Sequence, residues 1–255
     1  MKTPGKLGPE LASKADAFFA RQSEKINDGV IILVTDKPED EVRKILLEYV
    51  GGFSTMGSAF RRPALRYQPQ SGWSTYTSEG DNKSIDVVMS VLMPLTMDNY
   101  MTAAITAMVL EKSMSDALAD TGMYSDVKYN FQISPQERLS MAVSVEPMSK
   151  DAVASGIEHS DAIKVLSIVR ARLSEMVETN VSAGSLFSSK EYLKSQLALR
   201  MKEPGYWTDA IAKRFLDGKD FTSSYAARID AVTADMVRNL LSALNGGSKV
   251  EYVIR

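Results

Sequence analysis

The stretch VKYNFQISPQERLSMAVSV, Val127 to Val145, decides how this chain folds. Val127, Tyr129, Phe131 and Ile133 alternate with Lys128, Asn130 and Gln132, and Leu139, Met141, Val143 and Val145 alternate with mostly small or polar residues. A period of two places every apolar side chain of a strand on one face. SerProGlnGlu between the two runs has the residues of a turn. The pattern predicts an antiparallel hairpin, buried on one side and wet on the other.

Upstream of the hairpin, Ile85, Val87, Met89, Val91 and Met93 alternate in the same way until Pro94, which predicts another strand. A helix is predicted from Asn99 to about Ala119, capped by Asp98, with Tyr100, Ala103, Ala107, Leu110, Met114 and Leu118 as its core stripe. Downstream, helices are expected over Ser160–Glu178, Ser189–Lys202, Tyr206–Asp217 and Thr233–Leu244, and a last strand over Ser248–Ile254. Strands in the middle with helices before and after them imply an α+β fold, an antiparallel-rich sheet with helices packed on one face.

The N-terminal part reads differently. A helix is expected from 11 to 27, then a strand at Val30–Val34 whose unbroken apolar run suggests cover on both faces. Pro38, Glu39, Asp40 and Glu41 open the next helix with a residue that needs no amide partner and with acids suited to the helix dipole. Gly51 and Gly52 close it. The turn after Val34, ThrAspLysProGlu, has no glycine and places acids where phosphates would sit, which argues against a nucleotide site. From Phe53 to Lys83 the composition turns to Gly, Ser, Pro, Gln and Thr. This predicts a connector with an edge strand near Ser74–Ser78. The expected organisation is a helix-strand-helix piece of a preceding unit over 1–52, a connector over 53–70 and a complete α+β domain over 71–255.

Composition narrows the function. Thirty basic against 32 acidic residues leave a formal charge of -2. No positive excess is available to displace counterions from a phosphate backbone, so nucleic acid is not an expected partner. There is no cysteine and a single histidine, His159. Thiolate chemistry and any metal site needing two imidazoles are therefore excluded. His159, at a helix start, reads as a solvated or capping side chain. The 14 methionines include Met89, Met93, Met108, Met114 and Met141 at core positions, where packing accounts for them. Tyr206 and Trp207 read as anchors of a helix start. No apolar run reaches the length of a membrane span. A soluble chain is expected, cytoplasmic or periplasmic.

Several phrases together resemble the pitrilysin/insulinase family of zinc metallopeptidases, specifically its C-terminal, noncatalytic half. VTDKPEDEVRKILLEYVGGF (34–53) is similar to the strand, helix and closing glycine that end one repeat unit of that family. YWTDAIAKRFLDGKDF (206–221) and RIDAVTADMVRNLL (228–241) are similar to the helical tail of the next. The resemblance implies two α+β halves closing like a clamshell around an extended peptide, with zinc held only by the half that bears an inverted HxxEH motif. The equivalent helix here, NYMTAAITAMVLEKSMSDAL (99–118), has no histidine, and Glu111 alone cannot hold the metal. The chain is thus expected to have no catalytic residue, no metal ligand and no cofactor of its own, and to partner an HxxEH-bearing catalytic half, on the same parent chain or a separate subunit, with a peptide as substrate. In the family, an arginine and a tyrosine after this helix touch the substrate backbone. Tyr124 stands near the tyrosine position, while Ala119 stands where the arginine belongs. Tyr124 is therefore the candidate substrate-binding residue, beside a plainer role as a partly buried tyrosine at a strand entrance. The alternative is a metal-free assembly or scaffold protein of the same fold. A free-standing enzyme would have to draw on Tyr124 or His159.

Overall fold

The computed structural model describes residues 9–23, 30–52, 71–80, 84–133, 136–148, 159–179, 181–220 and 222–254. The chain divides into two compact units, Met1–Pro63 and Ala64–Arg255.

In the first unit, α1 runs over Pro9–Ser23 and α2 over Glu39–Tyr49. Proline opens α1, two residues before the expected start; residues 24–27 of the expected helix lie outside those described. Glu39, Asp40 and Glu41 occupy the first turn of α2, and the amides of Val50 and Gly51 both donate to the Leu46 carbonyl at its end. A Cβ on Gly51 would stand 2.6 Å from the Leu47 carbonyl oxygen, so the terminating glycine is a steric requirement. The strand expected at Val30–Val34 is not one. These residues belong to no ladder, and Val30, Ile31 and Leu33 are about half exposed. A strand exists only when a neighbour accepts its backbone hydrogen bonds, and the described residues of this unit contain no second strand. The apolar run is legible in sequence; its partner is not.

The second unit holds β1 (Gly72–Ser78), β2 (Ser84–Leu92), α3 (Met97–Leu118), a 3-10 turn (Ala119–Thr121), β3 (Met123–Gln132), β4 (Arg138–Pro147), α4 (His159–Glu178), α5 (Ala183–Arg200), α6 (Pro204–Asp217), α7 (Tyr225–Ala231), α8 (Ala234–Gly246) and β5 (Ser248–Ile254). The sheet order is β1-β5-β2-β4-β3; β1 is parallel to β5 and every other pair is antiparallel. The hairpin register sets Val127 opposite Val143, Tyr129 opposite Met141 and Phe131 opposite Leu139, as the alternation requires. Its turn residues Ser134 and Pro135 lie outside the described set.

Odd-numbered positions face the helices. Ile85, Val87, Leu139, Met141, Val143 and Val145 are all sealed, and they join one core with α3, α4 and α8. α3 packs on β3 and on α4, α5, α7 and α8, so it is buried nearly all round and has more than the single predicted stripe: Met101, Ala104, Ile105 and Val109 are buried as well. Its buried Thr106 hydroxyl donates to the Thr102 carbonyl at 2.7 Å, which satisfies a polar group within the core.

Several helix assignments differ from the sequence reading. Thr96, not Asp98, caps α3: its extended backbone lets Oγ1 accept from the Asn99 amide at 3.1 Å, while Asp98 pairs with Arg228 at 2.6 Å. α5 begins six residues earlier than expected because Ser182 caps it, accepting from the Ser185 amide at 3.1 Å. The small residues around Gly184 read as loop, yet a serine at the N-cap outweighs weak propensity. α7 is an additional short helix between two expected ones. Tyr206 and Trp207 do anchor the start of α6, where the indole Nε1 donates to the Met201 carbonyl at 2.8 Å.

Candidate functional site

The even-numbered face of the sheet is open. No described residue on it is buried, and the helix-facing packing of the unit lies on the opposite side. The strand register lays residues across this face in rows. One row runs Tyr76, Tyr252, Asp86, Ser144, Asp126; the next runs Ser74, Val250, Val88, Ala142, Lys128. At the end of the sheet, Tyr124 on β3 is registered with Glu146 on β4.

Tyr124, the residue singled out from sequence, lies at this corner and is 43% exposed. Its phenol donates to Glu146 Oε2. That bond, reinforced by the carboxylates of Glu146 and Asp126, holds the phenol above the ordinary tyrosine range. Asp86 accepts from Ser144 Oγ at 2.6 Å and from Ser84 Oγ at 3.2 Å, and Lys128 pairs with Asp126 at 2.6 Å.

The remaining sequence candidates lie elsewhere. Ala119 is in the 3-10 turn that leads from α3 towards β3. Glu111 is on α3, its carboxyl raised above the usual range by burial and then by Asp126. His159 is the first residue of α4. Among the described residues no group of three or more His, Asp or Glu is placed to hold a metal. The donor set on α3 does not fit zinc, because a carboxylate without imidazoles leaves the ion's coordination incomplete.

Sequence reasoning missed two clusters. Glu251 and Lys249 on β5 point to the helix side, where Glu251 has no exposed surface and Lys249 is 8% exposed. Arg170 of α4 grips Glu251 with two bonds, Nε–Oε1 2.6 Å and Nη2–Oε2 2.5 Å, and Thr75 Oγ1 donates to it at 2.7 Å. Arg170 and Lys249 each stand 4.9 Å from the Trp73 ring centroid. The period-two alternation of LysValGluTyrVal, with charges at every second position, is the signal that could have revealed them. This network fastens the edge strand β1 to the body of the unit. The second cluster joins Tyr100 and Tyr129, whose rings meet edge-on at 5.7 Å, with Phe131 beside them.

Burial, then the neighbouring Tyr100, pushes the Tyr129 phenol well above the usual tyrosine range, with Arg200 opposing. A folded-state pKa raised above the unfolded value gives stability that is present below about pH 10 and is lost as pH climbs towards the folded value. Urea midpoints should therefore fall above about pH 10. Tyr129→Phe, which keeps the ring, should make that alkaline decline shallower; an unchanged decline would contradict the assignment.

A cleft of ≈ 340 Å³ also lies on the helical side, lined by Lys112, Ser113, Asp116 and Arg172 among others. Arg172 is already occupied there, donating to Ser113 at 2.5 Å and pairing with Glu175 at 2.6 Å. No described helix is long and apolar enough to cross a membrane.

No protein-family model matches this sequence, and no curated protein matches it. Solved structures do match by fold. The first half of the periplasmic protease PqqL from Escherichia coli superposes with a TM-score of 0.64 at 11% identity, over 86% of this chain and 49% of that one. A peptidase M16 inactive domain from Pseudomonas fluorescens gives 0.57 at 12% identity, over 86% and 52%. The ferredoxin protease FusC, solved in complex with Arabidopsis ferredoxin, gives 0.62 at 14% identity, over 87% and 24%. This chain spans between about a quarter and a half of the length of these structures. With an antiparallel-rich sheet backed by helices on one face and a central helix crossing beneath it, the chain has the α+β fold of the half-units found in M16 peptidases, the pitrilysin/insulinase type, and in their inactive domains.

Proposed function

We propose that this chain is the noncatalytic, substrate-enclosing half of a zinc metallopeptidase, working beside an HxxEH-bearing half on the same parent chain or a separate subunit. The observation that carries the proposal is a peptidase-type half-unit whose central helix α3 has no histidine and whose sheet keeps one face open. Zinc and the hydrolytic water belong to the partner half. This chain's residues enclose an extended peptide over the open face, exclude water, and take part of the peptide as an added strand along the free edge of β3. In this reading Tyr124, at the corner where β3 begins, touches the peptide backbone.

In the same proposal, residues 1–52 are the closing helix-strand-helix piece of a preceding unit, 53–70 a connector, and 71–255 the α+β domain that follows. What supports this is the exposed apolar segment Val30–Val34 together with α2, none of whose residues is buried. Such surface is expected to be covered by a neighbouring sheet and its helices.

Ala119, a methyl group where the family resemblance calls for an arginine, favours the second reading, a metal-free assembly protein of the same fold. The two separate in one assay. An HxxEH-bearing half is given an unstructured peptide with and without this chain; the peptidase reading expects cleavage to rise markedly on addition. Stoichiometric association with no stimulation would overturn it in favour of the assembly role.

A further inference from the structure

The cleft on the helical side carries charges that helix packing does not require, and we infer that it binds a small zwitterion, a free amino acid with an apolar side chain. Its volume, ≈ 340 Å³, is at the low end of the range for small-molecule sites, about 300–1,000 Å³. Three helices build it. Val109, Lys112, Ser113 and Asp116 are spaced i, i+3, i+4, i+7 and so share one face of α3; Arg172 and Met176, spaced i, i+4, share one face of α4; the start of α5 closes the end.

The seam between packed helices is ordinarily apolar. The floor of the cleft obeys that rule, with Val109 and Met176 both buried. Its rim does not. Arg172 is fixed by two bonds: Nε donates to the buried Ser113 Oγ at 2.5 Å and Nη1 to Glu175 at 2.6 Å. That leaves its Nη2 without a partner among the described residues. Lys112 and Asp116 stand one turn apart with the base first, the weaker order for a helical ion pair. Among the described residues neither has an ion-pair or hydrogen-bond partner.

Unpaired charges of both signs above an apolar floor complement a molecule that carries both charges and an apolar body. The carboxylate of an amino acid meets Lys112 and Arg172 Nη2, its ammonium meets Asp116, and its side chain covers Val109 and Met176. With Glu175 included, the positive and negative charges around the cleft cancel, as suits a ligand of no net charge. A simple anion is opposed by Asp116 and a simple cation by Lys112 and Arg172, so each binds less well than the zwitterion. The cleft lies on the helical side of the unit and its ligand is independent of the peptide-holding reading of the open face.

The test is an amide chemical-shift titration of the isotope-labelled full chain, which reports place and affinity together. The ligands are leucine, leucinamide, which lacks the carboxylate, and N-acetylleucine, which lacks the ammonium. Leucine should shift amides around Lys112, Asp116 and Arg172 and bind about tenfold more tightly than either derivative. Lys112→Gln should weaken leucine and N-acetylleucine and leave leucinamide no weaker. Asp116→Asn should weaken leucine and leucinamide and leave N-acetylleucine no weaker. Both replaced side chains are exposed, so thermal unfolding of the two variants should be unchanged. Shifts absent from the cleft, equal affinity of the three ligands, or a leucine affinity that neither variant changes overturns the inference. None of these results alters the peptide-holding reading, which the cleavage assay tests separately.

Discussion

Replacing Arg170 with alanine should lower the stability of the second unit by about 3 kcal/mol. Glu251 has no exposed surface, and both its oxygens are engaged by Arg170, with Thr75 adding one further bond. Without the guanidinium, a carboxylate remains between sheet and helix with one hydroxyl for company. Breaking a buried pair from one side costs about 3–5 kcal/mol. The lower end applies because the Arg170 side chain is itself 46% exposed, so water can partly replace it. Arg170→Met with Glu251→Leu should recover most of the loss, since removing both charges leaves nothing unpaired. Urea denaturation of the three proteins checks this. A loss below about 1 kcal/mol for Arg170→Ala would mean that water or Lys249 already compensates Glu251.

Leu110→Ala should cost more, about 4 kcal/mol. Leu110 has no exposed surface and lies on α3, which is packed by the sheet and by four other helices. A cavity opened in an element fixed on every side cannot collapse easily, and such sites lie high in the range of about 2–5 kcal/mol for leucine truncations. Asp86→Asn, on the open face, should change stability by no more than about 0.5 kcal/mol. A comparable loss for the two variants would show that the open face is covered and structural.

The contrast between these sites also explains what could be read from the sequence. The hairpin was fully legible: each residue of Val127–Ile133 and Leu139–Val145 alternates, and a one-residue slip would turn a buried row to water. The helix α3 was legible in extent but not in environment, because periodicity shows which side chains are apolar and says nothing about how many neighbours surround them. Its cap was misplaced by two residues since Thr96 and Asp98 are both competent caps, and only backbone geometry decides between them. Val30–Val34 was the clearest failure: an apolar run has strand propensity, but the ladder partner that makes a strand is a property of the fold.

The candidate site was less legible than the core. Tyr124 came to notice through family resemblance, and its tie to Glu146 depends on a cross-strand register that the hairpin pattern does imply. The Tyr76–Tyr252 pair could not be foreseen. The two residues lie far apart in sequence, in strands joined by a parallel pairing that no local pattern announces. Open-face residues carry no hydrophobic signal by their nature, so the surface most relevant to function is the one least encoded by periodicity.

The claim that this chain holds peptide while another half cuts it is tested most directly by titrating the isolated chain with zinc in a calorimeter and incubating the same sample with an unstructured peptide. With one histidine in the sequence and none on α3, the account predicts no stoichiometric high-affinity zinc site and no cleavage. One tightly bound zinc per chain together with hydrolysis of the peptide in the absence of any partner would contradict it.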